Sequence, residues 1–232
     1  MKKNTMQKIQ FELDFRRNTN KGLYVVLEGI DGAGKTVQTE RITKYFEKKG
    51  RKTLAVAEPR RTGIIGEVIN EFLQKRVHLP SASLQYLFVA DRIAHQEEII
   101  IPSLKKGQMV ISHRNFWSSI PYGILDRSKE KIDYKTGEIL MVAQGILSMY
   151  YQIMVPDVTI YVEVSVEESL KRLNKSGVLK EYYENREKLS TVKKGYEWLI
   201  EKFPNEFVVV NGCQEIEKVS KDIIAVIEGL KK

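Results

Sequence analysis

Apolar and polar residues follow two patterns that alternate along this chain. Five short runs have the length and the β-branched or aromatic content of buried parallel strands. They cover residues 23–27, 52–57, 108–112, 158–162 and 207–210. Because helical segments separate these runs, the sequence predicts an α/β fold with a five-stranded parallel sheet between two layers of helices. Ligands are then expected at the carboxyl ends of the strands.

The segments between the runs carry apolar residues at spacings of three and four, which is typical of helices with one buried face. They run from 35 to the glycine at 50, and over 64–73, 81–101, 138–154, 181–203 and 216–230. Pro102 is expected to end the third of these. Ser165 and Glu168 have the spacing of a capping box and predict the start of another helix. The segment 138–154 is apolar almost all round, which predicts burial on two sides.

Two segments differ from this pattern. Residues 9–15 alternate apolar and polar, as in a half-buried extra strand, although a mobile N-terminal arm explains them equally well. Residues 174–180 contain Gly, Ser and two lysines between helical stretches, and they indicate a mobile basic lid. We therefore predict an N-terminal extension over residues 1–21 and a single domain over residues 22–232, with a lid at about 174–180.

Composition narrows the class of protein. The 232 residues, 42% of them hydrophobic, are enough for one domain with a full core. No apolar run is long enough to span a bilayer and no signal core follows Met1, so we expect a cytoplasmic protein without a membrane segment. The lone Cys213 fits a reducing compartment. The net charge of +8 suits anionic ligands, and because no basic run is interleaved with aromatics, we expect phosphates rather than nucleic acid.

The first apolar run leads into a phosphate-binding motif. Residues 29–36 match G-x-x-x-x-G-K-[ST] and have a predicted strand before them and a helix after them, which is the context that this motif requires. In such a P-loop, backbone N–H groups surround phosphate oxygens at the positive end of the helix. Lys35 is then expected to reach the β- and γ-phosphates of a nucleoside triphosphate, and Thr36 to offer its hydroxyl to Mg²⁺.

Three classes of P-loop protein can be compared with the chain. A GTPase needs N-K-x-D, but the Asn-Lys pair at Asn174 lacks the aspartate, and a motor or AAA-type ATPase needs a strand ending in Asp-Glu, which none of the five does. A small-molecule kinase needs cations around the transferred phosphoryl group. Suitable charged residues at strand ends and helix faces are Glu58, Arg60, Arg61, Arg92, Arg114 and the lysines of the lid. The kinase interpretation is therefore favoured.

Four motifs, in this order, resemble those of the thymidylate kinases, which belong to the nucleoside monophosphate kinases. Residues 27–36 are similar to that family's P-loop and residues 58–66 to its Glu-Pro segment. Residues 87–95 resemble the helix that carries its Phe and Arg for the thymine base, and residues 111–122 its Asp-Arg motif with the downstream Ser-Ser and Tyr. The resemblance implies a P-loop three-layer α/β/α kinase that transfers the γ-phosphoryl group of ATP to dTMP with Mg²⁺, giving dTDP and ADP.

The resemblance also implies roles for individual residues. ATP is expected to contact Gly29, Ile30, Asp31, Gly32, Ala33, Gly34, Lys35, Thr36, Arg172 and Lys175. The acceptor dTMP is expected to contact Asp31, Glu58, Arg60, Phe88, Arg92, Arg114, Ser119 and Tyr122. Phe88 would stack on the pyrimidine and Arg92 would hydrogen-bond to its edge. Lys35, Arg114 and Asp31 are the expected catalytic residues, with Arg114 bridging the two phosphate groups and Thr36 as the metal ligand.

The chain departs from the family pattern at several positions. His113 replaces an aspartate that would hold metal-bound water, and an imidazole is a poorer partner for a hard cation. Gly123 replaces the usual Gln, and Pro121 predicts a kink in a helical segment. The lid carries lysines where the family normally supplies arginines. The alternatives are therefore a catalytically weakened nucleotide-binding protein of the same fold, or a kinase for another nucleoside monophosphate.

Two predicted helices, 81–101 and 138–154, carry more apolar residues than one sheet can cover. Exposed apolar area beyond a few hundred Å² is usually an interface, and a two-fold dimer is the commonest way to close one. We therefore expect a homodimer, as the family resemblance also implies. The alternative is a monomer in which residues 9–15 cover the patch.

Overall fold

The fold is that of a computed structural model, which describes residues 14–127, 137–151, 153–175 and 182–230. The strands are β1 (Tyr24–Glu28), β2 (Thr53–Ala57), β3 (Met109–His113), β4 (Val158–Glu163) and β5 (Phe207–Asn211). The helices are α1 (Lys35–Lys48), α2 (Gly63–Leu73), α3 (Ser81–His95), α4 (Ile101–Lys105), α5 (Ser119–Arg127), α6 (Gly137–Met149), α7 (Val166–Lys175), α8 (Arg186–Lys202) and α9 (Ile216–Glu228). Residues 9–13 of the possible extra strand and 176–180 of the lid lie outside the described residues, so both remain predictions.

The strands form one parallel sheet in the order β2-β3-β1-β4-β5. All five residues of the central strand β1 are buried. Val25 and Leu27 belong to the larger apolar cluster, whereas Tyr24 and Val26 belong to a second cluster. Because alternate residues of a strand point to opposite faces, the sheet is covered on both sides. The predicted three-layer α/β/α fold is therefore confirmed.

The carboxyl ends of β1 and β3 lie side by side. Leu27 pairs in register with His113, and the backbone N–H of Arg114 donates to the carbonyl of Leu27 at 2.9 Å. The loop after β1 is the P-loop, and the loop after β3 carries the Arg114 motif. Two segments that are more than seventy residues apart in the sequence thus meet at one edge of the sheet.

Pro102 does not end the helix that precedes it, and this prediction was wrong. After α3 the chain makes a widened π-helical turn at Gln96–Ile100 and continues as α4, in which Pro102 occupies the first turn. The widened turn directly before Pro102 accommodates its ring and its missing N–H within the helix. Pro121 likewise lies in the first turn of α5, since that helix begins at Ser119, and so its ring requires no kink.

Two other helix boundaries differ from the sequence pattern. The helix α6 ends at Met149 rather than at 154, because the Gln96 side chain takes both backbone groups of Met154, donating at 2.9 Å and accepting at 2.6 Å. The helix α8 begins at Arg186 rather than at 181. There the side chain of Asn185 accepts from the backbone N–H of Lys188 at 3.0 Å and caps the helix. The capping contact predicted for α7 is present, since Ser165 Oγ accepts from the N–H of Glu168 at 3.1 Å.

The helix α6 is buried on one side only in this chain. Ile139, Ala143 and Ile146 are buried in the core, whereas Leu140 and Met141 are 55% and 74% exposed. The predicted burial on two sides is therefore wrong for the isolated chain, in which the second apolar face is open to solvent. Across the part of the chain that the structure describes, no helix has the length and apolar character needed to cross a membrane.

Candidate active site

The P-loop lies between the end of β1 and the start of α1, as the motif predicts. Gly32 has a φ of +77°, and a Cβ at this position would lie 2.7 Å from the carbonyl oxygen of Ser169 on α7. Gly29 is equally confined, because its Cβ would lie 2.8 Å from the carbonyl oxygen of Val162 on β4. Only glycine fits both the backbone angle and the close approach at position 32. The loop is thus packed into the sheet and α7, which fixes its shape.

Lys35 opens α1 with its side chain folded back into the P-loop. Its Nζ donates to the carbonyls of Gly29 at 3.0 Å and Ile30 at 2.7 Å. Burial and the positive charge of Arg114 lower the pKa of Lys35 to about 7. An ammonium group that is buried next to another cation favours an anionic partner. Phosphate oxygens in the loop would provide one.

A large cavity opens over the P-loop, with a volume of about 1090 Å³. Its lining carries charges of both signs. The positive side chains are Lys35, Arg61, Lys171, Arg172 and Lys175, and the negative ones are Asp31, Glu168, Glu184 and Glu215. The P-loop residues Gly32, Ala33, Gly34 and Thr36 also line it. The Arg172 guanidinium donates to Glu168 at 2.8 Å and to the carbonyl of Gly212 at 2.9 Å, which holds it over the cavity. We call this space the donor cavity.

A second cavity of about 320 Å³ adjoins the first. It has aromatic and charged walls and is lined by Asp31, Thr36, Ala57, Glu58, Pro59, Arg61, Leu73, Phe88, Arg92, His113, Arg114, Ser118, Ser119, Tyr122 and Tyr183. We call it the acceptor cavity. Most of the residues predicted to bind dTMP are thus brought together here. Arg60 is not among the lining residues, because its guanidinium is directed to Asp91 and Glu98, each at 2.8 Å.

Arg114 stands between the P-loop and the acceptor cavity. Its Nη2 donates to Asp31 at 2.5 Å and to the Tyr122 hydroxyl at 2.7 Å. Its Nη1 donates to Ser118 at 3.0 Å and to Tyr196 at 3.1 Å. Burial alone would raise the pKa of Asp31, but the charges of Arg114 and Lys35 outweigh it and lower that pKa below its ordinary value. The pair therefore carries full charges in the cleft.

Arg92 lies on α3 at the other end of the acceptor cavity. Its guanidinium is 5.3 Å from the centre of the Phe88 ring and donates to Glu58 at 3.2 Å and to Tyr150 at 3.0 Å. It also donates to Ser119. These contacts fix a planar hydrogen-bond donor beside an aromatic face. Such a combination is suited to a flat, polar-edged ring such as a nucleobase.

His113 ends β3 and lies between the two cavities. Its Nδ1 is 3.2 Å from the Thr36 hydroxyl. Burial, and then the charges of Lys35 and Arg114, hold the pKa of His113 well below its usual range. The imidazole is therefore neutral at physiological pH. The Thr36 hydroxyl remains a suitable ligand for a divalent cation that nucleotide phosphates bring, because such ions keep most of their ligands from phosphate and water.

Two residues in or behind the cleft, Tyr183 and Glu28, were not among the predicted site residues. Tyr183 closes the acceptor cavity, with its ring 4.8 Å from that of Tyr122. Glu28 is fully buried and accepts from Ser118 and Tyr196, both at 2.7 Å. The position of Glu28, directly before the P-loop, could have indicated a role. Nothing in the local pattern around Tyr183 distinguishes it from a packing residue.

Comparison with known proteins agrees with this geometry. The family model described as thymidylate kinase matches residues 27–223. A probable thymidylate kinase of Pyrococcus horikoshii is 32% identical over 219 residues, which cover 90% of this chain and 97% of the relative. A thymidylate kinase of Thermoanaerobacter sp. is 34% identical over 210 residues, 90% of this chain and 98% of the relative. The solved thymidylate kinase of Candida albicans, 24% identical, has the same fold with a TM-score of 0.76, covering 91% of this chain and 93% of that one.

Proposed function

The chain belongs to the thymidylate kinase family, and we propose that its donor and acceptor cavities carry out that family's reaction in the roles given below. The protein is a nucleoside monophosphate kinase that transfers the γ-phosphoryl group of ATP to dTMP, giving ADP and dTDP. The alternative of a catalytically weakened nucleotide-binding protein receives no support from its relatives.

One observation carries the assignment of roles: the two cavities share a wall. Asp31, Thr36, Arg61 and His113 line both of them. A triphosphate that enters from the P-loop side and a monophosphate that enters from the Phe88 side would therefore meet at these four residues. Phosphoryl transfer depends mainly on such positioning and on neutralising the charge of the transferred group.

In the donor cavity, the P-loop amides, Lys35, Arg172 and Lys175 bind the phosphates of ATP. The family uses ATP with a divalent cation, and we propose Mg²⁺, held by the Thr36 hydroxyl. Mg²⁺ adds positive charge to the phosphate oxygens when it is bound. Lys35 exchanges its two carbonyl partners in the loop for phosphate oxygens as the nucleotide enters. Its positive charge then stabilises the negative charge that develops on the transferred group during the reaction.

In the acceptor cavity, Phe88 stacks on the thymine ring and Arg92 donates to its edge. Glu58 acts through Arg92, which it holds at 3.2 Å. Ser119 and Tyr122 complete the pocket for the sugar and the base. Arg114 releases part of its contact with Asp31 to bridge the donor and acceptor phosphates. The predicted contact of Arg60 with dTMP would require its guanidinium to leave Asp91 and Glu98.

We also propose that residues 22–232 act as one kinase domain, with residues 174–180 closing over the donor cavity and residues 1–21 as an extension. The protein acts in the cytoplasm, where ATP is abundant and where the exposed thiol of Cys213 would stay reduced. The open apolar face of α6 supports a homodimer.

A coupled assay of ADP release tests this proposal, with dTMP, dUMP, dCMP, dGMP and dAMP offered in turn. We expect the highest kcat/KM with dTMP. Lys35→Ala should abolish turnover, whereas Lys44→Ala, at an exposed position of the same helix, should leave it unchanged. Turnover of a purine nucleotide in preference to dTMP would refute the assignment of the acceptor cavity.

A further inference from the structure

We propose that His113 is a nitrogen ligand of the divalent cation that accompanies ATP, adjacent to the hydroxyl ligand from Thr36. The inference rests on the proposed function, because ATP is what brings the cation to the shared wall of the two cavities. It concerns the selectivity of this chain among divalent cations. A site with an imidazole nitrogen has a different order of preference from one built of oxygen atoms alone.

The position of the imidazole fits this role. Nδ1 of His113 is 3.2 Å from Oγ1 of Thr36, and both side chains line both cavities. Two ligands at a right angle around one ion, each about 2.1 Å from it, are about 3 Å apart. The separation of 3.2 Å, at which the two groups form a hydrogen bond here, is therefore also that of neighbouring ligands, and both residues line the two cavities in which the phosphates would bind.

The carboxylates of Asp31 and Glu28, close to His113 and Thr36, already accept hydrogen bonds from other protein groups. Asp31 accepts from Arg114 at 2.5 Å and from Tyr122 at 2.9 Å. Glu28 is fully buried and accepts from the backbone N–H of Asn115 at 2.9 Å as well as from two hydroxyls. Among the described residues, no group of three or more His, Cys, Asp or Glu side chains could hold a metal. The imidazole therefore provides a large share of the ligand atoms that the protein itself supplies to the ion.

This ligand set predicts an altered selectivity. Imidazole nitrogen binds Mn²⁺, Co²⁺ and Ni²⁺ in increasing order and binds Mg²⁺ weakly, whereas a carboxylate oxygen suits Mg²⁺. The ternary site of this chain should thus favour Co²⁺ over Mg²⁺ by more than the nucleotide alone does. Replacing the imidazole by a carboxylate should return the preference toward Mg²⁺.

Pulsed electron paramagnetic resonance tests the ligand directly. The full-length protein would be labelled with ¹⁵N-histidine and loaded with ADP and Mn²⁺. The chain has three histidines, His78, His95 and His113. We expect a hyperfine coupling of a directly bound ¹⁵N that persists in His78→Ala, an exposed control, and disappears in His113→Ala. Absence of such a coupling in the unmodified protein, with Mn²⁺ and ADP bound, would overturn the proposal.

Titration calorimetry of Mg²⁺ and Co²⁺ into the ADP complex gives a second readout. His113→Asp should lower the ratio of Co²⁺ to Mg²⁺ affinity by on the order of tenfold, and an unchanged ratio would contradict the inference. Turnover of dTMP by the unmodified protein with Mg²⁺ is measured in parallel. If dTMP is phosphorylated but neither metal readout responds, the inference fails while the proposed function stands. If dTMP is not phosphorylated, the proposed function fails first.

Discussion

At the scale of single residues, Arg114 combines a rare backbone conformation with a guanidinium that donates several hydrogen bonds. Its φ is +72°, a region that non-glycine residues rarely occupy. The conformation follows directly on β3 and turns the side chain toward the P-loop, where it contacts Asp31 and Tyr122. Backbone strain of this kind persists where many surrounding contacts hold the residue in place, and it is found most often at functional sites.

Arg114→Lys should separate the geometry of this residue from its charge. Lysine keeps a positive charge next to Asp31 but lacks the planar fork that can hold two phosphate groups at once. We expect kcat to fall by about 10²–10³-fold, with a much smaller change in the KM for dTMP. Steady-state kinetics measure both quantities. Arg41→Lys, an exposed arginine on α1, is the control, and an unchanged kcat at position 114 would remove the residue from the mechanism.

The protonation state of the Asp126 carboxyl affects the free energy of unfolding of the protein. Burial raises the pKa of Asp126 to about 6, although hydrogen bonds from Tyr183 and Gln85 oppose this. The ordinary value is about 3.9. Since the folded pKa is the higher one, the stabilisation from the protonated carboxyl is fully present below about pH 4 and is lost as the pH rises through about 6.

Asp126→Asn should therefore stabilise the protein at high pH and not at low pH. The amide oxygen still accepts from Tyr183, and no charge is buried. Two pKa units correspond to at most about 3 kcal/mol in the free energy of unfolding at pH 8, and the gain should vanish near pH 4. Urea unfolding at both pH values measures it. Asp222→Asn, at a half-buried carboxylate paired with Lys218, should show no gain at pH 8, and an equal gain for Asp126→Asn at both pH values would contradict the linkage.

The site could be predicted from sequence only as far as motifs identify it. The P-loop follows from its own motif, and Phe88, Arg92 and Arg114 follow from the resemblance to short thymidylate kinase motifs. Arg60 lies in such a motif as well, but the orientation of its side chain depends on Asp91 of α3. Tyr183 reaches the acceptor cavity through tertiary packing alone. Side-chain direction set by distant partners is what a local pattern cannot contain.

At the scale of elements, all five strands were predicted to within one residue at either end. Helix ends were predicted less well, because they depend on contacts made far along the chain. The side chain of Gln96 fixes the backbone of Met154, and the two are 58 residues apart. The widened turn that carries Gln96 also lets the helix continue past Pro102. Periodicity reports which face of a helix is buried, and it does not report such long-range partners.

The contact between α5 and α8 gives a prediction at this scale. A Cβ at Gly195, in the middle of α8, would lie 2.9 Å from both Cα and Cβ of Pro121 on α5. Gly195→Ala adds helix propensity worth about 1 kcal/mol, but the clash should outweigh it and leave a net destabilisation of about 1–2 kcal/mol. Thermal unfolding measures the change. Lys194→Ala, the exposed neighbour, should be neutral, and a raised Tm for Gly195→Ala would show that the helices can separate at no cost.

At the scale of the whole molecule, two helices leave apolar side chains in solvent. On and after α6, Leu140, Met141 and Tyr151 are 55%, 74% and 79% exposed, and on α3, Tyr86 is 63% exposed. Side chains of this size in solvent, on helices that also contact each other, are typical of an interface between copies of one chain.

Light scattering should therefore give a mass of about twice 26.8 kDa. Met141→Glu places a charge on the open face of α6 and should shift the mass toward that of a single chain, because an unpaired charge in an apolar interface is costly. Val209→Glu, at an exposed position of the edge strand β5, is the control and should leave the mass unchanged. A mass near 26.8 kDa for the unmodified protein at micromolar concentration would rule out the dimer.

Because the donor and acceptor cavities share four lining residues, they lie side by side in the cleft. A single compound with adenosine at one end, thymidine at the other and a phosphate chain between them would fill both cavities at once. Its second half would bind intramolecularly, at an effective concentration set by the length of the chain. Inhibition should therefore rise to a maximum at one number of phosphates and fall on either side of it. The number of phosphates in the best inhibitor would therefore indicate the distance between the two nucleosides at the moment of transfer.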